Sequence, residues 1–454
     1  MNLQDLTSGP IRSQIRRIAI PAAAGMFFNT LYNLTDTFFA GRISTWAVAG
    51  LSISFPLFFG IIAVGAGLGA GATALIANAL GRGDRDEARM LAAQALSVGL
   101  ALSAALSVVG WVAAEPLFSA LGAQGEYLRS AVTYIRWIYA GAVFFIGSYA
   151  ANAGLVAGGD TRALRNVMAI GAAANVVLDP WFIYGGLGVP AMGFVGIAAA
   201  TLVIQAGGFL YLCRRAAKVG LLGRFSIRHM FPKPPYVRLL LGQGGPAALN
   251  HLTIGIGIFV ITGVASRFGE AAVAAYGVAT RIEQLVLLPA LGLTSATLAI
   301  AGQCHGAGLV ERMAVAWRAA LRDGFVAMAA GGAVVWAFAP ELMSLFARDA
   351  GVVAIGAGYL RIAVFVLWAY VVLFVTVSLL QAVRQPMYAL WIGLYRQIAA
   401  PLAVYPVLAS ALGPVGLWLG IAAVTWSAAL FTLWWGHRVL RQLIRARDLS
   451  SKPR

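Results

Sequence analysis

Two short windows carry the side chains able to move charge. Asp36 follows Asn29, Tyr32 and Asn33, which puts the four at i, i+3, i+4 and i+7 of a helix, while Asn175 and Asp179 stand one turn apart with Pro180 next in the chain. Both windows sit inside long apolar runs, where a carboxylate costs several kcal/mol and so marks an ion or substrate route. Two chemistries suit them. Carboxyl groups in low dielectric beside a like charge hold protons near neutral pH, as a proton carrier must. Two carboxylates with an amide carbonyl also supply the hard oxygen ligands of a small cation such as Na+, at Asp36, Asn175 and Asp179. Pro180 removes a backbone hydrogen bond beside Asp179 and frees a carbonyl as a further ligand. Asn152 and Thr201, on neighbouring apolar runs, are the candidates to complete the pocket. A purely structural use of the two acids as helix glue is met as well by Asn or Ser, without the cost of a charge.

The elements that hold these residues are membrane spans. Of 454 residues, 60% are hydrophobic and only 11% charged, and twelve mostly apolar runs of about 20 residues or more occur between positions 15 and 436. Residues 1–14 are polar and lead straight into a span of full length, so no cleaved leader is expected. Most of the 33 Lys and Arg fall in loops on one side, which places both termini in the cytoplasm of a bacterial-type plasma (inner) membrane. The net charge of +17 is then an orientation signal facing anionic headgroups, and no nucleic-acid partner is expected.

An internal repeat runs through the chain at an offset of 225 residues: Pro21-Ala22-Ala23 matches Pro246-Ala247-Ala248, Arg42 matches Arg267, and Tyr134 and Arg136 match Tyr359 and Arg361. Six spans per copy, an even number, give both halves the same orientation, related by a pseudo-two-fold axis along the membrane normal. The expected organisation is all-α, with a six-helix lobe at 1–213, a basic cytoplasmic linker at 214–238, and a second six-helix lobe with its tail at 239–454. The acidic window belongs to the first copy alone, because Asp36, Asn175 and Asp179 pair with Ile261, Ala400 and Val404. The second copy has its own intramembrane charges, Glu283 with Arg281 nearby and Arg396. Counted from opposite ends of their spans, Glu283 and Arg396 lie at depths of roughly 15 and 13 Å, so they are expected to pair.

Asn33-Leu34-Thr35-Asp36 with Gly41-Arg42, Gly81-Arg82-Gly83-Asp84, Gly158-Gly159-Asp160 and Asn175-Val176-Val177-Leu178-Asp179-Pro180 together resemble the multidrug and toxic compound extrusion (MATE) transporters, over essentially all twelve spans. The resemblance implies a two-lobed carrier that exports varied, often cationic organic compounds in exchange for H+ or Na+. It also implies that Asp36, Asn152, Asn175 and Asp179 form the first-lobe cation site. Some members add acids on spans 7 and 10; here span 7 has Asn250 and His251 instead, which tilts the expectation toward protons. Small-molecule substrates and the lipid bilayer are the expected partners of a monomer, with no cofactor beyond the coupling ion. A lipid-linked precursor flippase is the alternative, but it calls for a cavity rich in Arg or Lys, and only Arg281 and Arg396 fall within spans. A membrane-embedded enzyme is the third reading. No nucleophile-and-base motif, metal-ligand spacing among the four His, or nucleotide-binding loop supports it.

Overall fold

Apolar runs this long have one solution in lipid, because every backbone N–H and C=O must be satisfied inside its own segment. The computed structural model describes residues 4–222 and 229–450, and among them every named element is helical. In the first half these are α1 (Ile11–Ile43), α2 (Thr45–Gly81), α3 (Arg85–Ala120), α4 (Gly125–Ala140), α5 (Ala142–Ala157), α6 (Arg162–Tyr184) and α7 (Phe194–Lys218). The second half has α8 (Pro234–Ala265), α9 (Glu270–Gly306), α10 (Val310–Ala337), the short α11 (Ala339–Ser344), α12 (Ala350–Ala382), α13 (Met387–Leu394) and α14 (Ala400–Ser450).

Ten segments among the described residues are long and apolar enough to cross a membrane by composition alone. Helix α1 is not one of them, since its polar stripe lowers its hydropathy, yet at 33 residues it is long enough to span. The last apolar segment holds two spans, because Gly413 breaks α14 with φ 62° and ψ −147°. That left-handed backbone is open to glycine and strained for other residues. Close by, a Cβ added at Gly416 would overlap the Leu408 carbonyl, so the kink needs glycine twice. With α1 and both arms of α14 the count is twelve. The fourth span, expected as an apolar run near 131–156, starts at Gly125 and is interrupted at Gly141, which separates α4 from α5.

The glycine-rich loop motifs have structural uses. Asp84 caps α3 by accepting from the Glu87 N–H at 2.9 Å, and Asp160 pairs with Arg215 of α7 at 2.9 Å. The basic segment 214–238 is helical at both ends, in α7 and α8, and residues 223–228 lie outside the described residues. Its second half is pinned to α3, where the buried Gln94 carboxamide donates to the carbonyls of His229 and Phe231 and accepts from the Lys233 N–H.

The chain divides into two compact units. The first comprises Ala24–Leu80 and Asp84–Leu249 with Gln4, around a core that includes Ile61, Leu75, Leu91, Phe118, Ile135 and Ile146. The second comprises Asp5–Ala23, Gly81–Gly83 and the chain from Asn250 onward, with a core of residues such as Leu360, Tyr405, Leu417 and Trp418. Residues 5–9 form a strap on this second unit. Leu6 is fully buried, its N–H donates to Gln303 Oε1 at 2.9 Å, and the Arg312 guanidinium donates to the carbonyls of Leu6, Ser8 and Gly9 and to Gln14 Oε1.

Candidate functional site

Helix α1 presents Tyr32 and Asp36 one turn apart, both buried, and α6 presents Asn175 and Asp179 with the same spacing, both fully buried. Asn175 Nδ2 donates to Asp36 Oδ1 at 2.6 Å, and the Asp179 carboxyl lies beside Asp36. The four side chains belong to the first unit. Tyr32 also neighbours Thr201 of α7 and Tyr134 of α4, and Tyr134 in turn faces both acids while stacking on Phe194 with ring centroids 5.0 Å apart.

The chemical character of this cluster lies in what is left over. Both oxygens of Asp179, the amide oxygens of Asn175 and Asn152, and the hydroxyls of Tyr32 and Thr201 are buried without a well-formed hydrogen bond among the described residues, although the two hydroxyls neighbour each other and Asp179 neighbours Asp36. A buried polar atom with no partner costs about 1–3 kcal/mol, so an accumulation of them is a feature that calls for an explanation. Every one of these atoms is an oxygen, the donor set for a proton or a hard cation. Pro180 continues α6 but has no N–H to offer, which leaves the Val176 carbonyl without its helical donor.

Asn29 and Asn33 do not join the buried cluster. Both are exposed, and the Asn33 amide donates to the Asn29 carbonyl at 2.9 Å. At about 100° per residue the four positions cover about 100° of arc in the order Tyr32, Asp36, Asn29, Asn33, and only the Tyr32–Asp36 edge of the stripe is buried. In the second unit the repeat-matched positions are apolar: Ile261 and Ala400 are buried in its core and Val404 packs against it. The acidic window has no counterpart there.

The expected pairing of Glu283 with Arg396 is not what the structure shows. The Tyr359 hydroxyl donates to Glu283 Oε2 at 2.6 Å, no Glu283–Arg396 ion pair within 4.0 Å occurs among the described residues, and the Arg396 guanidinium lies 5.4 Å from the centre of the Tyr370 ring. Depth in the membrane fixes height but not azimuth, and Arg396 sits in a π-helical turn, Tyr395–Ala399, whose extra residue re-aims side chains that an ideal α-helix would place elsewhere. Arg281 is exposed on α9. Tyr134 and Tyr359 were missed as functional candidates although they are repeat mates. Each faces a buried acid in its own unit, and that shared register was the signal.

The MatE family model matches residues 21–181 and 246–404, once in each half of the repeat. Among curated relatives, an FAD transporter of Shewanella oneidensis is 29% identical over 87% of this chain and 87% of its own length. A probable multidrug resistance protein NorM of Thermotoga maritima is 26% identical over 76% of this chain and 74% of its own. Among solved structures, an outward-facing multidrug resistance MATE transporter of the MOP superfamily superposes with a TM-score of 0.90 at 29% identity, covering 97% of this chain and 98% of that one. A MOP superfamily transporter from Pyrococcus furiosus, described as having a binding pocket of reverse polarity, gives 0.89 at 29% identity over 96% and 98%. The family match spans both six-helix halves and the fold agrees over nearly the whole length: the chain is a multi-pass membrane transporter that belongs to the MatE family.

Proposed function

We propose that this protein is a secondary antiporter that exports amphipathic organic compounds by alternating access, in exchange for inward movement of a cation, with protons favoured over sodium. The observation that carries the reading is the concentration, around Asp36 and Asp179, of buried oxygens without a well-formed hydrogen bond. Asp36, Asp179, Asn175 and Asn152 take the coupling ion, with Tyr32, Thr201 and the carbonyl freed by Pro180 in support. Asn175 orients Asp36 through its amide hydrogen bond. Loading the ion removes net negative charge from a low-dielectric site, and such a change biases a carrier between two states only to the extent that it binds one of them better.

The two six-helix lobes are 1–213 and 239–454, joined by the basic segment 214–238, and the carrier works as a monomer in the plasma (inner) membrane with both termini cytoplasmic. Small organic molecules and the bilayer are its partners, and it performs no covalent chemistry. Because one relative is named an FAD transporter, flavin nucleotides belong beside cationic dyes among the compounds to try.

Proteoliposomes loaded with a cationic dye, under an imposed pH gradient or an imposed sodium gradient, test the reading. Transport driven by one gradient and abolished in Asp36→Asn is the expected result and names the ion. Transport that persists unchanged in Asp36→Asn would return the cluster to helix packing and sink the proposal.

A further inference from the structure

A guanidinium inside a membrane span is expensive unless a carboxylate accompanies it or a ligand uses it. Arg396 is half-buried in the π-helical turn of the eleventh span. It forms no ion pair within 4.0 Å among the described residues; Glu283 is close enough to feel its field and accepts instead from the Tyr359 hydroxyl. The surroundings are aromatic instead. Tyr370 lies under the guanidinium, Tyr405 is within its field, and so is Tyr276, which stacks on Trp418 at 5.8 Å and 10°.

The turn is also held in place. The Tyr395 and Ser427 hydroxyls are 2.9 Å apart, and Gln397 packs so closely on Gly257 of α8 that a Cβ there would overlap its carboxamide. π-turns inside α-helices recur at functional sites. This one is fixed from two sides, and the side chain it places is a cation among tyrosines.

We propose that Arg396 and the tyrosines around it form an anion-binding subsite in the second unit, which takes the carboxylate or phosphate of a planar aromatic substrate. Guanidinium supplies paired donors in the geometry such groups accept, and the rings supply stacking faces for the planar part. Arg281, two residues before Glu283, is exposed on α9, which leaves Arg396 as the more buried cation of the two. The inference rests on the export reading for the direction of transport, but its own content is the chemical class of the cargo, which binding alone can report.

The probes are flavin mononucleotide and riboflavin, which share a ring system and differ by one phosphate. Their affinities for the purified full-length protein in phosphatidylcholine nanodiscs are read by flavin fluorescence. The mononucleotide is expected to bind about tenfold more tightly, the gain of a single charge-assisted contact. In Arg396→Gln the ratio of the two affinities is expected to fall to about one, and Arg396→Lys to keep part of it. Equal affinities in the unmodified protein, or a ratio that survives Arg396→Gln, overturn the inference. Repeating the titration in nanodiscs containing phosphatidylglycerol separates cargo from lipid: if the anionic lipid abolishes the Arg396-dependent ratio, the subsite serves a headgroup and the cargo assignment fails. Gradient-driven dye export by the same purified protein reconstituted in proteoliposomes is measured separately. Export without a phosphate preference sinks this inference alone, and a phosphate preference without export sinks the antiport reading alone.

Discussion

Replacing Tyr359 by Phe deletes one oxygen atom, and the two accounts of Glu283 disagree about what should follow. Tyr359 and Glu283 are both buried and joined by a 2.6 Å hydrogen bond, so the substitution leaves a buried carboxyl short of its donor. A hydrogen bond to a charged group is worth about 1.5–3 kcal/mol, and Tyr359→Phe is expected to cost that much. Glu283→Gln keeps an acceptor for the phenol and should cost less, and the double-mutant cycle should show a coupling of about 1–2 kcal/mol. Arg396→Gln is the contrasting perturbation. Were Arg396 the ion-pair partner of Glu283, its loss would strand a buried charge at about 3–5 kcal/mol. With the guanidinium over Tyr370 instead, only a cation–π contact of about 1 kcal/mol is lost. Equilibrium unfolding in mixed micelles titrated with dodecyl sulfate, followed by tryptophan fluorescence, measures all of these on one scale. A Tyr359–Glu283 coupling below about 0.5 kcal/mol, the level at which independent sites add, together with a large cost for Arg396→Gln, would refute the assignment of partners.

The remaining predictions concern the strap and the kink. Arg312→Ala removes the donor to three strap carbonyls and Gln14, and amide exchange at residues 5–9 is expected to speed up by about 5- to 150-fold, the equivalent of roughly 1–3 kcal/mol of local stability; unchanged protection would show that Arg312 does not hold the strap. The Thr7 hydroxyl, and after it the Thr7 N–H, hold the Asp5 carboxyl below the usual carboxylate value. A lowered folded-state value means the stabilisation is present above about pH 4 and is lost as the pH falls further, so exchange at residues 5–9, corrected for intrinsic rates, should rise on acidification below that point and stay flat in Asp5→Asn. Gly416→Ala forces a Cβ onto the Leu408 carbonyl and is expected to cost about 1–3 kcal/mol in the same micelle titration; a neutral result would mean that the kink at Gly413 tolerates opening.

How much of this was legible in the residues depended on which rule was asked. Hydropathy and the 225-residue register gave twelve spans in two sets of six, because apolar length and duplicated sequence are both direct imprints of a bilayer fold. That Asn175 and Asp179 share one helix face, as Tyr32 and Asp36 do, followed from helical spacing within each window. Spacing alone overreached at Asn29 and Asn33, since a stripe names a face and not how much of it a neighbour covers. Depth alone failed for Glu283 and Arg396, because a π-turn changes direction without changing height and leaves no mark in composition. The break at Gly141 and the strap at residues 5–9 were invisible for a related reason: each depends on contacts with residues far away in sequence.

The strap also sets an order of assembly. Its partners Gln303 and Arg312 lie 297 and 306 positions downstream of Leu6, and at ribosomal rates of about 5–20 residues per second that separation amounts to about 15 to 60 s. Through that interval the Leu6 side chain, destined for full burial, waits with nothing yet made to receive it. Residues 5–9 therefore become one of the last pieces to find their place. Any bound factor that detains residues 5–9 would be felt in the second half of the chain, at Gln303 of α9 and Arg312 of α10.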